Sequence, residues 1–166
     1  MLYLRLLWMY LIALFTVVFV YPLLHETGHL FAAFLVGAEV VEFSIFPVPR
    51  VSVCFDAHNT WGQVAVGMCG MLLPMLCIFH KPKHFISCVG ECAIMIANVI
   101  AWLLSCIAIV VSKLGADWEN EDVLVVVHQC SDGAGFGVFF FCLIALAISI
   151  YALLRKQNLR LIISFF

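Results

Sequence analysis

The chain has 166 residues, of which 66% are hydrophobic and 11% charged, with a formal net charge of -2. Soluble domains are about 45–50% apolar and about 25% charged, so this composition leaves too few polar residues to cover a water-facing surface. An ordinary soluble domain is excluded, the near-neutral charge offers nothing to nucleic acid, and the lipid bilayer is the expected solvent.

No linker, charge block or internal repeat divides the sequence, which predicts one membrane-embedded domain over residues 1–166. The first segment runs from about Leu6 to Val36. Arg5 followed by an apolar run imitates a signal peptide. The run is too long for one, however, and Pro22-Leu23-Leu24-His25-Glu26 is a poor cleavage site, so the segment is read as retained. Pro22 can kink a membrane helix without ending it, and Gly37 is a natural stop. About 30 residues at 1.5 Å each make roughly 45 Å, more than the ~30 Å hydrocarbon core, so this helix should tilt, kink or protrude.

Residues 40–55 look different. Val40-Val41-Glu42-Phe43-Ser44-Ile45-Phe46 and Arg50-Val51-Ser52-Val53-Cys54-Phe55 are rich in β-branched and aromatic residues, with Pro47-Val48-Pro49 between them. This pattern predicts a β-hairpin with a turn of about three residues. Three further apolar spans follow, at about 61–79, 90–112 and 133–155. The expected fold is therefore an all-α integral membrane protein, multi-pass, with about four transmembrane helices and a membrane-associated β-hairpin after the first. The cysteines lie mostly in apolar runs and lack the spacing of a disulfide framework or a Cys-x-x-Cys metal site, so they read as small core residues.

With four spans, Arg5, Lys81, Lys83, Arg155, Lys156 and Arg160 fall on one side. Arg50 and Lys113 fall on the other, with Asp56 and the acids between Asp117 and Asp132. The excess of basic residues places both termini in the cytoplasm. The exit end of the first helix and the acidic stretch after the third span then share one membrane face.

The chemistry is concentrated in His25-Glu26-Thr27-Gly28-His29. Residues four apart stack on one helix face, so His25 and His29 can offer two imidazoles to one metal ion. Glu26 stands beside them as the candidate catalytic base, able to take a proton from a water that the metal has acidified. Three ionisable residues within five positions of an apolar helix are costly in a membrane, which marks the motif as functional rather than as a solvated helix end. The expected cofactor is one Zn2+ ion. Asn98, polar within the third span, is expected to bond another helix.

The run His25-Glu26-Thr27-Gly28-His29-Leu30-Phe31-Ala32-Ala33, then Gly37-Ala38-Glu39-Val40 and Phe43-Ser44-Ile45, resembles the start of site-2 proteases, which are intramembrane zinc metalloproteases. The resemblance covers roughly residues 8–75. It implies a first core helix bearing H-E-x-x-H, a membrane-reentrant hairpin after it, and a small-residue stretch opening the next helix, here Gly67-Met68-Cys69-Gly70. The family usually supplies its third metal ligand as an Asp from an Asn-Pro-rich, Leu-Asp-Gly-type motif, which is missing here. Shorter, divergent members use a simpler Asp-containing stretch after a span. The matching region is Gly115 to Asp122, with Asp117 and Asp122 standing level as metal ligands and Asp132 behind them. Asp122 precedes the apolar run Val123 to Val127, and Asp117 precedes the interface residue Trp118. Glu91 is a lesser candidate, because it lies by the Lys81–Lys83 loop. His80 and His84 read as part of that basic loop, and His128 as a structural residue or a partner of the acidic stretch.

The resemblance implies an intramembrane endopeptidase acting on a membrane-protein or membrane-peptide substrate. The Val40–Phe55 hairpin offers edge strands to which an unwound substrate could add, with Pro47 and Pro49 limiting the usable edge. The rivals are a membrane protein that keeps the zinc site without cutting, a hydrolase of lipid amides or esters, and a small transporter with a His/Asp ion path.

Overall fold

The structure, a computed structural model, describes residues 2–47, 49–54, 60–115, 123, 132–154 and 164. The chain opens with α1 (Leu2–Phe15), a π-helical turn (Thr16–Val20) and α2 (Tyr21–Val36), which together form one continuous rod. The hairpin β1 (Glu39–Ser44) and β2 (Arg50–Cys54) follows. Then come α3 (Thr60–Met75) with a 3-10 turn (Leu76–Phe79), α4 (Phe85–Lys113) and α5 (Asp132–Leu153). Among the described residues, four helical stretches are long and apolar enough to cross a membrane: Tyr3–Val36, Trp61–Phe79, Phe85–Lys113 and Gly135–Leu153.

The first rod passes through Pro22 unbroken. A proline ring crowds the carbonyl four residues back and donates no hydrogen bond. Just before it the helix widens, and Tyr21 N–H bonds the Thr16 carbonyl five residues back. The rod ends at Gly37, whose φ of 69° is a left-handed conformation open to glycine without strain. From there Ala38 N–H reaches back to the Ala33 carbonyl at 2.9 Å.

The hairpin is antiparallel, with Phe43 opposite Val51 and Ser44 opposite Arg50, and it carries an irregularity between Val40 and Glu42. Its strands stop short of Ile45 and resume at Arg50, so the connection is longer than the three-residue turn expected from Pro47 to Pro49. The Ser44 hydroxyl donates to the Phe46 carbonyl at 2.9 Å and closes the start of that connection.

The third span begins at Phe85, earlier than the residue 90 expected from the sequence. Glu91, expected beside the Lys81–Lys83 loop and away from the histidines, lies in the early turns of this helix, is only 5% exposed and pairs with His80 at 3.3 Å. The chain is extended at His84 just before the helix starts.

α2 packs most extensively on α3, α4 packs on α5, and α1 with the π turn packs on α4. The largest apolar cluster joins Met68 and Met71 of α3, Trp102, Cys106 and Ile109 of α4, and Cys142 and Ala145 of α5, with Val123 buried among them. Polarity runs opposite to a soluble fold. Asn98, Ser105 and Ser149 are buried, whereas Phe34 is 81% exposed. Asn98 is the polar knot of the bundle. Its nitrogen fits as donor to the Met71 carbonyl at 3.0 Å, and its oxygen as acceptor from Trp102 Nε1 at 3.2 Å. The same amide lies 3.5 Å from the Tyr21 hydroxyl and 3.4 Å from the Ser149 hydroxyl. One side chain therefore links α2, α3, α4 and α5, the interhelical role expected of it. No disulfide joins the described cysteines; Cys88, Cys106 and Cys142 are buried.

Candidate metal centre

Helical spacing on α2 brings His25 and His29 to one face, with Glu26 beside them. One donor atom from each of the three residues lies within 4.8 Å of the others, and among the described residues this is the only such group. The two Nε2 atoms are 3.0 Å apart, and the rings meet edge to face with centroids 4.6 Å apart. A tetrahedral ion with bonds of about 2.0–2.1 Å holds two ligand nitrogens roughly 3.3 Å apart, so a small opening of the pair accommodates it.

The tautomer of His29 follows from its neighbour. Its Nδ1 lies 2.7 Å from the Val66 carbonyl oxygen, which can only accept, so Nδ1 carries the hydrogen and donates. Nε2 is then the basic nitrogen, and it faces the His25 ring. A backbone carbonyl that fixes a histidine through its far nitrogen is a recurrent support of metal-binding imidazoles.

α3 shapes the cavity around these rings. Gly28 packs against the backbone at Cys69 so closely that a Cβ there would collide with the Cys69 carbonyl. Gly70 faces the imidazoles. A Cβ on it would overlap the His29 ring and come within 2.9 Å of His25 Cε1. The two glycines let α2 and α3 approach and leave the space in front of the nitrogens open. Two imidazole nitrogens, a carboxylate and a cradle that a single methyl would fill together suit a small divalent ion of zinc's ligand preference.

Glu26 is held from outside the bundle. Its Oε2 accepts the Val51 N–H of β2 at 2.8 Å. The hairpin therefore fixes the candidate base, and this contact joins two features that the sequence presented separately.

Tyr21, one turn before His25, meets Asn98 near the midpoint of α4. On the sequence alone the histidines stood towards the exit end of their helix. In the structure both fall in the half of the Tyr3–Val36 rod that leads to Val36.

Glu91 belongs elsewhere. Gly90, its neighbour, sits beside Thr16, nine residues before His25 and so about 13 Å away along the rod. With His80 and Thr16 it lines a cleft of about 530 Å³ between α1 and α4. His80 is thus more than a loop charge, since it caps this buried carboxylate. Asp117, Asp122 and His128 lie outside the described residues. Asp132 is the first residue of α5.

Sequence reasoning missed Val51, Val66 and Gly70. Two of these act through the backbone and leave no trace in residue type. Gly70 did leave a signal, the small-residue stretch Gly67-Met68-Cys69-Gly70. Comparison of the chain with protein-family models, with curated proteins and with solved structures finds no match.

Proposed function

We propose that this chain is a multi-pass membrane protein and a zinc-dependent intramembrane endopeptidase of the site-2 protease kind. The observation that carries the proposal is the His25–His29 pair, with Nε2 atoms 3.0 Å apart, Glu26 within reach, and Gly70 leaving room in front of them. His25 and His29 would hold the ion through Nε2. Asp122 or Asp117 would complete the set.

When bound, zinc supplies an acidified water and polarises a peptide carbonyl. The protein's own groups do the rest. Glu26 takes the proton of the attacking water on a carboxylate oxygen and passes it to the departing amide nitrogen. Val66 keeps the His29 ring in one tautomer and orientation. The substrate is a membrane-spanning or membrane-bound peptide whose helix must unwind, because its backbone groups are otherwise bonded internally.

The test uses the purified chain in lipid vesicles with zinc and a labelled single-span peptide whose apolar helix is interrupted by glycine and proline. Wild type should cut it, and Glu26→Gln should bind zinc equally while losing at least about 100-fold in rate. Equal cutting by Glu26→Gln refutes a hydrolytic role for this residue. Zinc binding with hydrolysis of a lipid amide but not of the peptide assigns the site to a lipid hydrolase instead.

A further inference from the structure

The contact between Glu26 and Val51 has a direct bearing on how an extended substrate would reach the site, and the inference rests on the proposed peptidase. β1 and β2 form a two-stranded sheet in which Val51 stands opposite Phe43. In an antiparallel pair, residues alternate between exchanging hydrogen bonds with their partner and pointing N–H and C=O outward. Val51 N–H bonds Glu26 Oε2 at 2.8 Å, so it points away from β1, along the outer edge of β2. An incoming strand pairing with that edge needs the same N–H for its own carbonyl. One hydrogen serves one strong acceptor at a time.

We propose that Val51 N–H is a shared donor that anchors Glu26 in the resting protein and passes to a substrate carbonyl when a strand pairs with β2. The exchange sets the register of the substrate. The residue whose carbonyl takes the Val51 hydrogen is laid beside Glu26 and hence beside the metal centre. The next outward donor along the strand lies two residues on, about 7 Å away. A one-residue slip would face the wrong side of the strand, so the register moves only in steps of two. Release of Glu26 from Val51 frees its carboxylate in the same event.

Binding in the absence of chemistry tests this. The probe is a fluorescein-labelled eight-residue peptide of alternating valine and threonine. Its affinity for the full-length protein in detergent micelles is read by anisotropy. Removing the competing acceptor in Glu26→Ala should tighten binding about fivefold to tenfold, whereas Glu26→Gln, which still accepts a hydrogen bond, should change it less. Val51→Pro deletes the donor and should weaken binding at least fivefold; retained zinc stoichiometry in that variant shows that its fold survives. The Val51 amide nitrogen and proton shifts, read by NMR, supply a second measurement. They should move in Glu26→Ala and return towards the wild-type position when the peptide is added. Equal peptide affinity of wild type and Glu26→Ala, or a Val51 amide unmoved by Glu26→Ala, overturns the proposal. A protein that shows the predicted affinities but cuts nothing refutes the peptidase and leaves the shared donor standing.

Discussion

His29 donates its Nδ1 hydrogen to the Val66 carbonyl, 2.7 Å away, and so keeps its other nitrogen basic and turned to His25. This bond comes from α3, so the geometry of the histidine pair depends on the packing of two helices and not on the motif alone. His25→Ala and His29→Ala should each lower zinc affinity by at least about 100-fold, since each removes a ligand, while Glu26→Gln should keep it within a few-fold. Equilibrium dialysis of the purified variants checks this; equal losses in all three would make Glu26 a ligand.

Gly70→Ala is expected to fill the cradle. Its methyl overlaps the His29 ring, so zinc should be lost while the helical circular dichroism of the bundle stays unchanged. Retention of stoichiometric zinc by this variant would show that the imidazoles have room to retreat.

Gly28→Ala acts differently, because its added methyl meets the rigid backbone at Cys69 rather than a side chain. The two helices must separate, at a cost of about 1–3 kcal/mol. A lowered midpoint in detergent unfolding, with zinc affinity falling in step, is the expected result.

Asn98→Ala removes the amide that reaches Tyr21, Met71, Trp102 and Ser149. Interhelical hydrogen bonds in membranes contribute about 0.6 kcal/mol on average and up to about 1.7, so a loss of roughly 1–2 kcal/mol is expected. Trp102 is buried beside this amide, and its fluorescence during unfolding reports the change. An unchanged midpoint would mean that water or Ser149 replaces the amide fully.

The architecture was largely legible in the sequence. Apolar length announced the four helices, and β-branched runs around Pro47 and Pro49 announced the hairpin. The i, i+4 histidines announced the group that can hold an ion. What escaped were contacts between elements. The start of α4 at Phe85 was hidden because the burial of Glu91 against His80 is a contact between segments that no residue pattern announces. Backbone donors and acceptors such as Val51 N–H and Val66 C=O have no side-chain signature.

Asp122→Ala and Asp117→Ala should differ: the variant that removes the third ligand abolishes tight zinc binding and the other spares it. Stoichiometric zinc in both variants in the same dialysis experiment would contradict a third ligand from this stretch.

Zinc K-edge X-ray absorption on the zinc-loaded protein tests the metal centre most directly. The expected spectrum shows two imidazole nitrogens at about 2.0–2.1 Å with oxygen in the remaining positions, and the imidazole scattering should fall by half in His29→Ala. A protein that takes up no zinc, or whose zinc spectrum is the same after His25→Ala and His29→Ala, contradicts a metal centre at these two histidines.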